Sequence, residues 1–320
     1  MSRKTKLWLI TAAILVLTGT LLIGGVITAC NRDLTRLNTV SYRKSTHEVK
    51  EKFDSISICT DTADIFFVPS EDDSCRVICH ELEYEQHTVG VQDGTLTIHS
   101  VNTRKWYDYI GITYGTPDIT VFLPAGQYET LFIKESTGDI EIPKDFHFAS
   151  IDITTSTGHA TSCASASGPV KIAASTGDIC VENISAASLD LSVSTGRVTV
   201  TNVTCEGDFF IGVSTGKAYL ADVACGNLTT SGNTGDLSLH RVVAAKAFHI
   251  VRTTGDVEFD DCDAAEIFIE TDTGDVEGSL RSEKMFFITT DTGDIEVPQG
   301  MTGGRCEIST NTGDIEIDIS

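Results

Sequence analysis

A Thr-Gly dipeptide recurs along this chain with a nearly constant spacing of 19 or 20 residues. In five of its ten copies the dipeptide is followed by Asp, a β-branched residue and Glu, as in "IETDTGDVEG" at 269–278. The ten threonines are Thr137, Thr157, Thr176, Thr195, Thr215, Thr234, Thr254, Thr273, Thr292 and Thr312. Spacing this regular indicates a repeat architecture, in which every unit packs against the unit before it and the unit after it.

One repeat, "SLDLSVSTGRVTVTNVT" at 188–204, shows how each unit is built. Apolar and polar residues alternate from Leu189 to Val193, which predicts a strand with one buried face. The corner at 194–196 interrupts the alternation, and its glycine suits a backbone position with positive φ. Alternation then resumes at Val198. These features predict an all-β, single-domain β-solenoid of 19–20-residue coils. Adjacent coils should lie about 4.8 Å apart, so that ten coils form a rod roughly 50 Å long.

The chain divides into four segments. Residues 1–30 contain a basic tip and an apolar stretch, 31–52 are interpreted as a juxtamembrane linker, 53–135 as an irregular β capping region and 136–320 as the regular repeats. We interpret the cap as the same solenoid with insertions, because "TADI" at 62–65 stands in place of "TGDI". Asp93-Gly94 between alternating runs predicts a hairpin turn within the cap.

The N-terminus predicts a membrane anchor. Residues 7–29 carry no charge and follow the basic residues Arg3, Lys4 and Lys6. As a helix this stretch would span about 35 Å, which is enough to cross a bilayer as a single pass. The basic flank favours a cytoplasmic N-terminus and an extracytoplasmic solenoid. "ITAC", ending at Cys30, allows an alternative, in which the chain is cleaved and lipidated as a bacterial lipoprotein.

Composition excludes one class of partner and leaves others open. The formal net charge is -23, which argues against nucleic acid as a partner because phosphate binding needs basic surface. The ten cysteines contain no pair with zinc-site spacing, and the sequence predicts no metal, cofactor or catalytic ligands. Cys205 and Cys225 are expected to stack on adjacent coils, either as a disulfide or as small buried apolar residues.

One insertion in the cap is rich in aromatic residues. The segment "KWYDYIGITYG" at 105–115 contains Trp106, Tyr107, Tyr109 and Tyr114. Exposed aromatic rings in a cluster can stack on sugars or contact a partner or a membrane, and these four are the candidate ligand contacts. The alternative is that the rings cover the open end of the rod.

The residue after each corner glycine is expected to form a line along the rod. Its C-terminal part is an acidic ladder of Asp236, Asp256, Asp275, Asp294 and Asp314. Stacked carboxylates repel one another, so solvent, turn amides or cations must offset the repulsion. Calcium is conceivable, but the repeat differs from the nonapeptide of calcium-binding β-rolls, and aspartate in a turn explains the pattern locally.

The residues in the middle of this line suggest the one enzyme hypothesis that we draw from the sequence. It contains His159, Asp178, Arg197, Lys217 and Asp236, a mixture that occurs in carbohydrate-active β-helix enzymes such as lyases and hydrolases. All five positions belong to the repeat itself, without an extended loop that would form a cleft. Catalytic acids and bases need burial or charged neighbours to shift their pKa values, so a non-enzymatic role is favoured.

Several motifs resemble those of a known family. "DGTLTI" at 93–98, "ITVFLP" at 119–124 and the repeated "STGDI" after a single N-terminal helix are similar to the bacterial DUF4097 family, also labelled adhesin. The resemblance covers roughly 50–320 and implies a β-solenoid on a protein of the cell envelope. It implies an adhesin-like or scaffolding surface that binds a cell-wall glycan or an envelope protein. An envelope-stress sensor that binds a protein partner is the remaining alternative.

Overall fold

The computed structural model describes residues 3–31, 36, 41–72, 74–105, 115–300 and 302–320. Helix α1 (Arg3–Ala29) has a mean hydropathy of 2.3 in its most apolar window, and none of its residues is buried against the protein. By length and composition it is the one helix in the described ranges that could cross a membrane. It begins four residues before the predicted stretch of 7–29, since the basic tip is also helical.

All other regular elements in the described part of the chain are strands. They are β1 (Tyr42–Val49), β2 (Ser55–Thr62), β3 (Asp64–Pro69), β4 (Cys75–Leu82), β5 (Glu85–Gln92), β6 (Thr95–Asn102), β7 (Asp118–Leu123), β8 (Gly126–Thr137), β9 (Ile140–Ile142), β10 (Phe146–Thr157), β11 (Ala160–Ser162), β12 (Ser165–Ala166), β13 (Pro169–Thr176), β14 (Ile179–Glu182), β15 (Ser185–Ala186), β16 (Ser188–Thr195), β17 (Val198–Cys205), β18 (Asp208–Thr215), β19 (Ala218–Thr234), β20 (Leu237–Thr254), β21 (Val257–Thr273), β22 (Val276–Leu280), β23 (Lys284–Thr292), β24 (Ile295–Glu296), β25 (Gly304–Thr312) and β26 (Ile315–Ile319).

The strands stack as parallel coils, which confirms the predicted β-solenoid. The corner threonines lie in register from coil to coil, as in the pairing of Thr157 with both Thr137 and Thr176. At every Thr-Gly corner except that of Gly293, the backbone amide of the glycine donates a hydrogen bond to the threonine carbonyl of a neighbouring coil, for example Gly177 to Thr195 at 3.0 Å. The repeat is therefore held at its corners by main-chain bonds between coils.

Glycine is required at these corners by both conformation and space. Gly177 has φ of 134°, in a region that L-residues rarely adopt. A Cβ atom built on Gly177 would lie 1.9 Å from the carbonyl oxygen of Gly158 in the preceding coil. The close approach of adjacent coils thus leaves no room for a side chain, which explains why the dipeptide recurs.

Five consecutive coils have a second corner at which a non-glycine residue has positive φ. One residue there adopts the left-handed conformation, as at Asn183 with φ of 58° and Asn202 with φ of 54°. Asn and Asp tolerate this conformation better than other non-glycine residues. The two asparagines also bond to each other, since Nδ2 of Asn202 donates to Oδ1 of Asn183 at 2.8 Å. The side-chain ladder at this corner complements the main-chain ladder at the glycine corner.

Inward-facing residues form one apolar core along the length of the stack. Leu191 and Ile211, paired in register on adjacent coils, are both 0% exposed. Each coil covers the apolar face of the next, so the core is stabilised by neighbours rather than within a single repeat. Arg252 is the exception among the largest buried side chains, because its guanidinium points inward and is 2% exposed.

The C-terminal coils do not stack in the order of the sequence. The last coil, with Thr312 at its corner, pairs on one side with the coil of Thr273 and on the other with the coil of Thr292. The line of aspartates consequently runs Asp275, Asp314, Asp294 instead of the expected sequential order. All three coils share the Thr-Gly-Asp corner, so the inserted coil forms the usual corner bonds with both neighbours: the amide of Gly274 donates to the carbonyl of Thr312, and the amide of Gly313 to that of Thr292. The chain end is thereby hydrogen-bonded along both edges.

The N-terminal cap shows the same kind of insertion. The coil of β2 and β3 pairs on one side with β8 and β9, with Thr62 in register with Thr137, and on the other side with β6 and β7. Within the cap this coil is stacked in parallel with its neighbours, as the regular coils are. Strands β4 and β5 are antiparallel additions to it. The sequence predicted a linker over 31–52. In the structure part of this segment, Tyr42–Val49, is strand β1, which pairs antiparallel with β4.

Candidate functional site

The predicted line of residues after the corner glycines is a ladder of side-chain to main-chain hydrogen bonds. Oδ1 of Asp139 accepts from the amide of His159 at 2.7 Å, and Oδ1 of Asp256 accepts from the amide of Asp275 at 3.0 Å. Each bond joins one coil to the next. The amide dipoles offset part of the repulsion between stacked carboxylates, which is the local explanation that the sequence favoured over bound cations.

In the C-terminal half a second column of carboxylates runs beside the ladder. We call the two columns together the acidic face: Asp236, Asp256, Asp275, Asp294, Asp314, Glu258, Glu277, Glu296 and Glu316. A groove of ≈ 230 Å³ crosses this face and is lined by Lys217 together with five of these acids. Partial desolvation raises the pKa of Glu277, and the neighbouring carboxylates Asp275 and Glu316 raise it further. The face therefore carries a concentrated negative field suited to a cationic partner.

The middle of this line, from His159 to Asp236, suggested an enzyme. Two of its side chains belong to the same ladder of hydrogen bonds. Nδ1 of His159 accepts from the amide of Asp178 at 3.0 Å, and Oδ1 of Asp178 accepts from the amide of Arg197 at 2.8 Å. Lys217 forms an ion pair of 2.8 Å with Asp236, in which the lysine side chain is 64% exposed. Nδ1 of His159 and Oδ1 of Asp178 are thus engaged in joining coils, and Lys217 lies on an open surface.

The four aromatic candidates Trp106, Tyr107, Tyr109 and Tyr114 lie outside the described residues. Both ends of their segment are attached to the cap. On one side Arg104 forms an ion pair of 3.0 Å with buried Glu85, and its guanidinium stacks over the ring of Tyr84. On the other side the Tyr42 hydroxyl donates to the carbonyl of Gly115 at 2.7 Å. The insertion accordingly starts and ends at fixed points on the cap.

A buried polar cluster in the cap was missed by the sequence analysis. One ligating atom from each of Cys79, Glu81 and His87 lies within 4.8 Å of the other two, and all three side chains are buried. The ring of His87 also contacts the Thr60 hydroxyl, with Nε2 and Oγ1 3.0 Å apart. The available signal was the alternation Cys-x-Glu on one strand followed by a histidine after a tight turn. The cluster can be recognised only when the pairing of β4 with β5 is known, and the spacing of the residues along the chain does not give that pairing.

The ten cysteines are free thiols. Cys205 and Cys225 lie on neighbouring coils as predicted, next to the paired Thr204 and Ala224, and both are buried. Burial, with a smaller contribution from the nearby Cys205, raises the pKa of Cys225 to about 12. Thiols that remain protonated react slowly, which agrees with their interpretation as small buried apolar residues.

A family model described as Toastrack DUF4097 matches residues 53–214 and again residues 207–320. The chain belongs to the DUF4097 family. The two matches together include the cap, the regular coils and the C-terminal coils of this DUF4097 chain. The resemblance inferred from its short motifs is confirmed. Among curated proteins no match is found.

Three solved structures show a distant likeness to this DUF4097 chain. A "putative adhesin" from Bacteroides fragilis is 12% identical, with 87% of this chain and 97% of that chain covered and a TM-score of 0.36. A "putative adhesin" from Parabacteroides distasonis is 11% identical, with 85% and 98% covered and a TM-score of 0.40. A "putative lipid binding protein" from the same species is 13% identical, with 86% and 97% covered and a TM-score of 0.30. Likeness at this distance carries no argument about function.

Proposed function

We propose that this DUF4097 chain is anchored in the cell membrane through α1 and displays its solenoid outside the cytoplasm. The solenoid serves as a non-enzymatic, adhesin-like or scaffolding surface for a cell-wall glycan or an envelope protein. The basic residues Arg3, Lys4 and Lys6 at the N-terminal end of α1 favour a cytoplasmic N-terminus. Lipid attachment at Cys30 is the alternative anchor and would leave the solenoid on the same side.

The observation that carries this proposal is the acidic face. Seven of its nine carboxylates are exposed, whereas Asp236 and Asp275 are half-buried. The two columns are in register from coil to coil, so their charges repeat at about the spacing between coils. A regular, rigid array of charge binds an extended partner through several weak contacts at once, and such contacts add to avidity. A cationic stretch of an envelope protein or a glycan with amino groups has the complementary charge.

The ladder supports a binding function over catalysis. His159 and Asp178, two members of the strip that suggested an enzyme, already use Nδ1 and Oδ1 to accept backbone amides of the next coil. The open surface gives a substrate little shelter from water, whereas catalytic acid–base pairs depend on desolvation to tune their pKa values. We therefore infer that this surface holds a partner without converting it.

A cell-wall glycan and cationic-peptide array tests the proposal, with the full chain in lipid nanodiscs at low and high salt. The acidic-face variant Asp256→Asn/Glu277→Gln should bind cationic ligands at least several-fold more weakly. The matched control Asp152→Asn/Asp190→Asn makes the same change in charge on β10 and β16 and should bind as wild type does. Equal binding by both variants would contradict a role for the acidic face.

The same array tests the aromatic insertion. Loss of glycan binding in Trp106→Ala and Tyr109→Ala, with unchanged thermal unfolding, would assign the ligand contacts to that segment. Unchanged binding together with lower thermal stability would assign the rings to covering the end of the rod.

A further inference from the structure

The buried cluster of the cap consists of Cys79, Glu81 and His87, which lie on strands β4 and β5. Thr60 on β2 contacts the ring of His87. Strand β4 contributes Cys79 and Glu81, which alternate and so face the same interior side, with exposures of 0% and 3%. The chain then turns between the paired residues Leu82 and Glu85, and β5 returns with His87, which is 5% exposed. Sulfur, oxygen and nitrogen ligands are thus brought within 4.8 Å of one another inside the protein.

Hydrogen bonds hold the carboxylate and the imidazole in a defined arrangement. Oε2 of Glu81 accepts from the backbone amide of His87 at 2.7 Å and lies 3.2 Å from its Nδ1. The other carboxylate oxygen, Oε1, accepts from the Ser45 hydroxyl at 3.0 Å. On the far side of the ring, Nε2 faces Oγ1 of Thr60 at 3.0 Å. Both nitrogens of the imidazole therefore have a fixed neighbour.

The environment of His87 favours the neutral ring, which is the form that binds metals. Burial lowers the pKa of His87, although its hydrogen bond to Glu81 acts in the opposite direction. The positive charges that His47 and His99 would carry lower that pKa further. The Nε2 atom of His47 is itself buried and has no hydrogen-bond partner among the described residues. His47 lies on β1, the strand that pairs with β4.

We propose that Cys79, Glu81 and His87 form a binding site for a zinc-class transition-metal ion. A thiolate, a carboxylate and an imidazole are the ligands that Zn²⁺ prefers, whereas Ca²⁺ and Mg²⁺ select oxygen alone. Ligands about 2.0–2.3 Å from one tetrahedral ion lie roughly 3.3–3.8 Å apart, so the cluster needs only small side-chain movements. A water molecule completes the four-coordinate shell.

The charges and protons of this site balance. The thiol of Cys79 releases its proton to solvent as the sulfur binds, and the thiolate and carboxylate together neutralise the dication. His87 binds through Nδ1, so its ring proton moves to Nε2 and is donated to Oγ1 of Thr60. That bond and the one from Ser45 to Glu81 are the outer contacts that orient the two ligands. Binding releases one proton per ion, so affinity falls as the pH is lowered.

Cobalt(II) titration of the metal-free full-length protein in detergent micelles tests the proposal, since Co²⁺ bound to thiolate gives a near-ultraviolet charge-transfer band. We expect the band in wild type and its disappearance when one equivalent of Zn²⁺ is added. It should be absent from Cys79→Ala and retained in Cys75→Ala, a matched control because Cys75 is buried on the same face of β4. A missing band in wild type, or one that persists in Cys79→Ala, would overturn the proposal.

Two further variants separate metal binding from folding. Circular dichroism and thermal unfolding without metal identify any variant that fails to fold. His87→Gln keeps a polar side chain and should weaken Co²⁺ binding at least tenfold. Thr60→Val removes the outer contact and should weaken it about tenfold. Wild-type affinity in a folded His87→Gln would overturn the assignment of that ligand.

Discussion

The backbone amide of Asp314 donates a hydrogen bond of 2.8 Å to Oδ1 of Asp275, a residue 39 positions earlier in the chain. At most other steps of the ladder the corresponding bond joins residues 19 or 20 apart, as between Asp275 and Asp256. In the cap the amide of Asp139 donates to Oδ1 of Asp64, which is 75 positions earlier. The amide of Asp294 completes the sequence by donating to Oδ1 of Asp314 at 2.7 Å. The last coil thus lies between two coils that are consecutive in sequence, and the ladder continues across the insertion.

Replacement of a ladder aspartate separates its hydrogen bond from its charge. Asp275→Ala removes the acceptor for the amide of Asp314 and should cost about 1 kcal/mol of unfolding free energy in urea titrations. Asp275→Asn keeps the oxygen acceptor and removes one of the stacked charges, so its stability should be close to wild type. The control Glu277→Ala relieves repulsion on the same coil and should not destabilise. Equal losses in the Ala and Asn variants would contradict the ladder.

The corner glycine is predicted to be intolerant of any side chain. Gly177→Ala places Cβ 1.9 Å from the carbonyl oxygen of Gly158 and keeps an unfavourable φ, so the coils must separate locally. We expect a loss of about 2 kcal/mol or more in urea unfolding. Gly90→Ala is the control, because a Cβ atom added to Gly90 on β5 would have no other atom within 4 Å. A Gly177→Ala protein as stable as Gly90→Ala would show that adjacent coils are not so closely packed.

Glu135 should make the stability of the solenoid depend on pH. Burial raises the pKa of its carboxyl to about 8, from an ordinary value of 4.5, and the charges of Asp64 and Asp139 add to the effect. The folded protein holds the proton more tightly, so stability is fully present below pH 4.5 and declines as the pH rises to about 8. Urea titrations of Glu135→Gln across this window should show a smaller decline, and those of the exposed control Glu129→Gln should follow wild type.

Arg252 is expected to lower the stability of the core. Its guanidinium is buried against Gly232, and none of its three nitrogens has a hydrogen-bond partner among the described residues. Burial lowers the pKa of Arg252, with only partial compensation from Asp236. Arg252→Met replaces the buried charge with an apolar side chain of similar length and should stabilise by about 1 kcal/mol or more in urea unfolding. Destabilisation would indicate that the guanidinium has a partner in solution.

The period of the Thr-Gly corners was sufficient to predict the fold. Gly177 and the other corner glycines recur because only glycine fits, and alternation as between Leu189 and Val193 identifies the buried face. The order of the last coils was not predictable, because Thr273, Thr292 and Thr312 begin the same motif of Thr-Gly-Asp, a β-branched residue and Glu. The corner bonds between coils are of the same kind in either order, so the motif does not distinguish between them.

The sites were less accessible to sequence analysis than the fold. The positions of Asp256 and Asp275 on one line followed from the period. Their bonds to backbone amides of the next coil were identified only from the structure. The cluster of Cys79, Glu81 and His87 depends on an antiparallel hairpin within a cap whose spacing departs from the repeat. Its residues come together through strand register, and a search for metal motifs with fixed spacing passes over them.

The central claim is that the solenoid holds its partner without chemical change. The most direct measurement incubates the full-length protein in nanodiscs with a mixture of cell-wall glycans and analyses the retained and released fractions by mass spectrometry. We predict that some glycans are retained in a salt-dependent manner and that every glycan keeps its original mass. Shortened glycans with new ends would contradict this account and would assign the His159 to Asp236 strip to a lyase or hydrolase.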